Sequence, residues 1–299
     1  MIVKSITEKT PNVAITAISR LENDYIIEWI NHHINLGFNH IYIYDNSFGQ
    51  EDRLEKVIDK KYSDTVTIIP AYDKYAFQKQ AYENAYHVYG KYHDYMLFID
   101  IDEFISLQKH NTIQDYLNSF ESIDFESLRI HWDIYDDNDI IERDITKPVT
   151  ESFTRKGTTN KCLEHNFSTK CLLKTKINDM FFPNVHFGRS RSRELKTIIG
   201  NGQIIPSSSS QMIKNRQIGI IKINHYVTKS ISEYMNQKLK RGDADGFIVR
   251  NIENRFFIYC NKNKQKLDYY NSHTSHSYIM QNNDIINYYH LHLDVLFQK

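Results

Sequence analysis

The strongest constraint on this chain is the alternation of strand and helix patterns over its first hundred residues. Val13-Ala14-Ile15-Thr16-Ala17-Ile18 is a short apolar run that tolerates β structure. Behind it, Ile26, Trp29, Ile30 and Ile34 fall at helical spacing, with Asn23 or Asp24 placed to cap the helix and Gly37 to end it. His40-Ile41-Tyr42-Ile43-Tyr44 is strand-like and stops at the turn cluster Asp45-Asn46-Ser47. A polar helix over 51–61, the strand Val66-Thr67-Ile68-Ile69, a helix over 76–89 and a strand from Tyr95 to Asp100 complete the series. Strands separated by helices make crossover units. The chain is therefore read as α/β, a mostly parallel Rossmann-like sheet flanked by helices. In such sheets ligands bind beyond the C-terminal strand ends. Here those ends carry Ser19-Arg20, Asp45-Asn46 and Asp100-Ile101-Asp102.

Regularity falls in the second half. Leu128 to Trp132 reads as another strand and runs into the acidic stretch 133–139. Gly200 to Ser210, with Pro206 before four serines, reads as a mobile loop, and Ser230 to Arg241 as a helix ending near Gly242. These patterns divide the chain into a main domain over 1–245 and a helical C-terminal appendage over 246–299. The terminal Leu293-Asp294-Val295-Leu296-Phe297-Gln298 resembles a protease-tag remnant and is given no structural weight.

Composition narrows the function classes. Lys plus Arg and Asp plus Glu both total 37, so there is no basic excess of the kind a nucleic-acid binder carries. No stretch approaches the roughly 20 apolar residues of a membrane helix, and the N-terminus lacks the apolar core of a signal peptide. Cys162, Cys171 and Cys260 form no CxxC pair, which points away from a disulfide scaffold or zinc site and toward a reducing cytoplasm. No GxxxxGK[ST] or GxGxxG is present, and 10 glycines leave little for a backbone phosphate cradle. The 21 tyrosines suit a sugar-binding surface, but coding bias toward Tyr, Asn, Ile and Lys explains them as well.

The segment Phe98-Ile99-Asp100-Ile101-Asp102-Glu103-Phe104 is the chemical centre of the sequence. On an extended strand Asp100 and Asp102 project to the same side, about 6.5–7 Å apart along the backbone. Two carboxylates brought together in apolar surroundings call for a cation. Oxygen ligands with open positions suit Mn²⁺ or Mg²⁺, which also binds diphosphate oxygens and acts on them as a Lewis acid.

These residues resemble glycosyltransferase family 92 and its bacterial relatives among the GT-A glycosyltransferases. The likeness begins at Ser19-Arg20-Leu21-Glu22-Asn23-Asp24-Tyr25-Ile26-Ile27-Glu28-Trp29-Ile30 and continues through His32-His33, Leu36-Gly37-Phe38, Ile41 to Ser47 and Gln80-Ala81-Tyr82. It culminates at Asp100-Ile101-Asp102 and closes at Asn224-His225-Tyr226-Val227-Thr228-Lys229-Ser230, covering roughly 13 to 245. The resemblance implies a GT-A fold, a UDP-sugar donor, a divalent ion (usually Mn²⁺) and inversion at the anomeric carbon, with galactose as the sugar moved by eukaryotic relatives. Asp100 and Asp102 match the metal and diphosphate positions, Asp45 the residue near uracil or ribose, and Arg20 and Asn23 the loop framing the base. Gln80 and Lys229 join them as donor-binding candidates. Where the family has a glycine-containing segment after the metal strand, this chain reads Trp132-Asp133-Ile134-Tyr135-Asp136, so the acceptor side differs.

GT-A enzymes often add a later histidine to the metal, and His186 and His225 qualify equally; His32 and His33 read as structural. Inversion needs a carboxylate to take the acceptor's proton, and the candidates are Asp133, Asp136 and Asp137. Trp132 has the surface to stack on a sugar. The expectation is a metal-dependent inverting hexosyltransferase acting on a glycan or lipid-linked glycan in surface polysaccharide (capsule) synthesis. It would work in the cytoplasm, with peripheral membrane contact through the Lys-rich appendage, and bind no nucleic acid. Two readings compete: a haloacid-dehalogenase-like phosphatase, whose DxD follows the first strand, and a non-catalytic nucleotide-sugar-binding protein.

Overall fold

The structure, a computed structural model, describes residues 10–120, 122–216, 219–238 and 256–273. The chain forms two compact units: Met1–Ile134 with Glu164–His225, and Tyr135–Leu163 with Tyr226–Lys299. The domain boundary expected at 245 and the terminal tag-like hexapeptide both lie outside the described residues.

The first unit is built on a mixed sheet. Its parallel half is β1 (Val13–Ser19), β2 (His40–Asp45), β3 (Val66–Pro70) and β4 (Tyr95–Phe98), in spatial order β3-β2-β1-β4. β1 is buried along almost its whole length, as a central parallel strand covered on both faces must be. Helix α1 (Ile26–Asn35) buries Ile26, Trp29 and Ile30 as its spacing specified, with His33 rather than the half-buried Ile34 completing the stripe. His33 donates Nδ1–H to the Trp29 carbonyl, its Nε2 accepts from the Ile105 amide, and His32 Nε2 donates to the Ile105 carbonyl. Both histidines are thus structural. The helix has no side-chain cap, and Asn23 instead donates to the Asp52 carbonyl. Gly37 follows at φ +91°, a left-handed position that ends the helix without a Cβ clash.

The polar helix expected over 51–61 is replaced by two 3₁₀ turns, Leu54–Lys56 and Lys60–Tyr62. Leu54, Ile58 and Tyr62 are buried at helical spacing. The backbone extends at Arg53 and Asp59, however, with ψ of 135° and 149°, and Asp45 takes the Leu54 amide. Helix α2 (Gln78–Tyr89) then packs Ala81, Tyr82, Ala85 and Tyr86 onto β4 and its neighbours.

Beyond β4 the chain turns back as β5 (Glu103–Leu107), and α3 (Ile113–Asn118) leads into β6 (Ser127–Ile134), buried at every position. Helices α4 (Val149–Ser152) and α5 (Asn160–His165) precede β7 (Thr169–Lys174). β7 lies antiparallel between β4 and β6 and joins the parallel half to the rest. β8 (Met180–Asn184) and β9 (Phe187–Ser190) form a hairpin; β10 (Thr197–Ile199) and β11 (Ile204–Ile205) extend the sheet past β6. Far from being a loose loop, 200–210 is held by β11, by Arg129 on the Ser210 carbonyl and by Arg189 on the Ser208 carbonyl. β12 (Ile221–His225) pairs with β5 antiparallel and β6 parallel, setting His225 across from Glu103.

In the second unit α6 (Ile231–Glu233) carries a capping box with Ser230 and continues as a π turn to Lys238. The helix read from Ser230 is therefore present as far as it is described. α7 (Lys264–His273) lies within the stretch read as an appendage, and Ile231, Tyr234, Met235, Phe256, Phe257 and Cys260 form an apolar cluster. All three cysteines are buried free thiols, and no described helix is long and apolar enough to cross a membrane.

Candidate active site

The three polar strand ends read from the sequence do converge. β1, β2 and β4 are adjacent and parallel, and Ser19 is in register with Asp45. Arg20 reaches across this edge, donating Nε–H to the Asn46 carbonyl and Nη2–H to the Lys74 carbonyl while lying over Phe48. Asp45 is wholly buried: it accepts from the Ser47 amide and hydroxyl and from the Leu54 amide. Its carboxylate shapes the turn that frames the edge, and a direct contact to a nucleotide, as the resemblance implied, is not available to it in this arrangement.

Asp100 and Asp102 do not continue the strand. β4 ends at Phe98, and residues 99–102 form a turn closed by the Glu103 amide on the Asp100 carbonyl. The turn separates the two environments. Asp100 stays 30% exposed, and its Oδ1 accepts from Gln78 and Tyr82 and pairs with Lys170 Nζ at 2.9 Å. Asp102 is buried, with Oδ1 3.5 Å from His225 Nε2. Glu103 is buried too; its Oε2 accepts the Asp100 amide and its carbonyl accepts Trp29 Nε1–H.

Lys170, on β7, is the residue that sequence reasoning missed. It is wholly buried, 3.8 Å from Glu103 Oε1 as well as bonded to Asp100, and it donates to the Val185 carbonyl. Burial opposes its charge, but Asp100 and Glu103 outweigh that and lift its pKa. Burial likewise pushes the Asp100 carboxyl up, yet the ammonium beside it wins and holds it below the usual range. Glu103 goes the other way: desolvation raises it well above the ordinary value. No local pattern marks a lysine seventy residues downstream as the partner of a DxD; only the β4–β7 pairing brings them together.

Of the two candidate histidines, His225 stands beside Asp102 and His186 does not. His186 donates Nδ1–H to the Thr169 carbonyl, and burial, aided by the Lys170 charge, pushes its pKa down to about 3. Trp132 lies against both rings, at 4.4 Å from His225 and 5.3 Å from His186. Gln80 is exposed on the outer face of α2. The residue bonded to Asp100 is Gln78, which shares with Tyr82 the buried i, i+4 stripe.

The acceptor-base candidates are all held by cations. Asp133 gives one oxygen to Arg216 at 2.9 Å and the other to Lys222 at 2.7 Å. Asp136 and Asp137 belong to the second unit, where Asp136 pairs with Arg155 at 2.8 Å and Asp137 with Lys266 at 2.6 Å. Lys229 also lies in that unit, buried with φ +53°.

The site can hold a cation. Asp102 Oδ1 and His225 Nε2 are close to the roughly 3 Å that separates neighbouring ligands around an ion with bonds of about 2.1 Å. Among the described residues no three acid, His or Cys side chains form a ready cage. Mg²⁺-like ions need none, since they are commonly held by one or two carboxylates plus substrate phosphates. The donor set fits on that basis.

Comparison with known proteins gives a match to the family model described as Glycosyltransferase family 92 over residues 20–276. Among solved structures, the crystal structure of HddC from Yersinia pseudotuberculosis is similar over 63% of this chain and 90% of that one, at 14% identity and a TM-score of 0.34. That similarity is too distant to carry argument. Comparison with curated proteins finds no match.

Proposed function

The chain belongs to glycosyltransferase family 92, and from that premise we propose that it moves a hexose, galactose first among candidates, from a UDP-sugar to a glycan with inversion. The observation that supports this reading is the Asp102–His225 pair beside an ionised Asp100 at the C-terminal edge of the parallel strands. A divalent ion there, Mn²⁺ or Mg²⁺, would supply charge stabilisation for the departing diphosphate. Asp102 and His225 would hold it, with Asp100 as the third donor. Lys170 fixes the Asp100 oxygen and keeps it ionised, and Gln78 and Tyr82 fix its rotamer. Trp132 gives the site an apolar wall against the histidines and a surface on which a sugar ring can stack. Arg20 ties the Asn46 and Lys74 loops into one rim for the donor base.

The phosphatase reading loses its ground, because its aspartates should follow the first strand and these follow the fourth. The acceptor fits surface-polysaccharide synthesis at the cytoplasmic face of a membrane, where a lipid-linked glycan would be met. A donor screen reading UDP release, with Mn²⁺ or EDTA and Asp102→Ala as control, tests the proposal. Turnover of one UDP-hexose that EDTA and the substitution both abolish is expected. Turnover indifferent to both, or none with any UDP-sugar, would overturn it.

A further inference from the structure

A second polar cleft opens in the first unit, away from the aspartate turn. It encloses about 150 Å³ and is lined by Ser127, Arg129, Arg189, Ser190, Ser207 and Ser208 among others. That is room for several waters, and so for a tetrahedral oxyanion with the start of its ester chain.

What marks the cleft is two arginines to which no carboxylate is bonded among the described residues. Arg129 is 1% exposed, donates Nε–H to Thr169 Oγ1 and Nη2–H to the Ser210 carbonyl, and has no acidic partner among the described residues. Its Nη1 hydrogens take no acceptor there either. Arg189 donates Nη2–H to the Ser208 carbonyl, while its buried Nε–H meets no acceptor among the described residues. Both guanidinium groups lie over one ring, Phe187, at 4.4 and 5.0 Å from its centroid. Burial, with Arg189 nearby adding repulsion, lowers the Arg129 pKa to about 10, so it keeps its charge at neutral pH. A third arginine, Arg193, is spent on Glu126, gripping both its oxygens. The one carboxylate on the lining is Glu194.

Burying a guanidinium without a counter-charge, as at Arg129, is expensive, and the half-buried Arg189 over the same ring adds to that cost. A planar fork with unused N–H groups matches the oxygens of a phosphate. We infer that this cleft binds a phosphate-class oxyanion, a phosphomonoester or diphosphate, gripped by Arg129 and Arg189 with hydroxyls from Ser207 and Ser208. The site stands apart from the transfer reaction and does not depend on it. It adjoins the candidate active site through Thr169, whose hydroxyl takes Arg129 and whose carbonyl takes His186.

The test is calorimetric titration of inorganic phosphate and pyrophosphate into the full chain, with EDTA present so that no metal-bound diphosphate contributes. Saturable binding that weakens at least tenfold in Arg189→Gln and is unchanged in Asp102→Asn is expected. Should Arg189→Gln fail to fold by circular dichroism, Ser207→Trp, which fills the cleft from its serine loop, must weaken binding equally. Co-sedimentation with phosphatidylglycerol vesicles identifies the source. Binding that Arg189→Gln abolishes assigns a lipid-borne phosphate, whereas phosphate binding without vesicle binding assigns a soluble ester. The inference fails if no anion binds, if the arginine and cleft-filling variants bind as the wild type does, or if Asp102→Asn removes the binding.

Discussion

Replacing Lys170 with methionine probes the centre of the site without touching a proposed metal donor. The side chain is wholly buried and its ammonium lies 2.9 Å from Asp100 and 3.8 Å from Glu103. Methionine is nearly isosteric, so packing changes little; what is lost is the ammonium these two carboxyls share. Removing one partner of a buried ion pair costs about 3–5 kcal/mol. The lower end applies here, because Asp100 is 30% exposed and water can take over part of the pairing. With about 2–4 °C of melting temperature per kcal/mol for a chain of this class, a drop of roughly 6–12 °C is expected.

The pH dependence gives the signature. Lys170 holds the folded-state pKa of Asp100 below its ordinary 3.8, so the pair's contribution is full above that value and fades as pH falls through the lowered one. The deficit of Lys170→Met is therefore largest at neutral pH and shrinks below about pH 4. A double-mutant cycle with Asp100→Asn isolates the interaction, and a coupling of about 2 kcal/mol is expected. Differential scanning calorimetry at pH 7 and urea titrations of the four proteins supply the numbers. A Lys170→Met variant that melts with the wild type, or losses that simply add, would refute the claim that this ammonium organises the turn.

Three further outcomes follow from the same geometry. Glu103→Gln should be neutral or mildly stabilising. A raised folded-state pKa means the folded chain holds a proton that the unfolded chain has released, so stability falls as pH rises from 4.5, and urea midpoints of the variant should lack that fall. Asp45→Ala should cost about 2–3 kcal/mol in urea denaturation, since it strands the Ser47 and Leu54 amides in a buried turn; a cost under half a kcal/mol would deny the carboxylate its structural role. Calorimetry should find Mn²⁺ binding weak alone and at least about tenfold tighter with UDP, with UDP tightened by the same factor in return. His225→Ala should erase most of that coupling, and equal Mn²⁺ affinity with and without UDP would remove the ion from this site.

The sequence revealed what is locally encoded. β1 announced itself because a parallel strand buried on both faces reads as an unbroken apolar run, and α1 because its stripe has a clean 3.6 period. Over 51–61 the same period appeared at Leu54, Ile58 and Tyr62, but a long-range bond from Asp45 overrode it. Gln80 against Gln78 was a question of helical phase, and the stripe Gln78, Ala81, Tyr82, Ala85 held the answer in plain view. Lys170 could not be read this way and His225 could be named only by type beside His186, since each reaches the aspartates through pairings between strands distant in sequence.

The run Asp100-Ile101-Asp102-Glu103 shows why residue type alone under-determines a site. These three acids differ in sequence position by no more than three, yet the turn gives each a different environment. Glu103 faces inward, spends one oxygen on the Asp100 amide and is driven by burial toward its neutral form. Asp100 faces partly outward and is kept ionised by Lys170. Asp102 is buried and set against an imidazole nitrogen, within reach of the Lys170 charge as well. The acid that burial pushes toward its neutral form ties the turn, and the one beside the internal cation is fixed in place by it. The third lies beside an imidazole, a group that can be neutral and serve as a ligand. If Glu103→Gln abolished donor binding while Asp100→Asn spared it, this assignment of roles would be inverted.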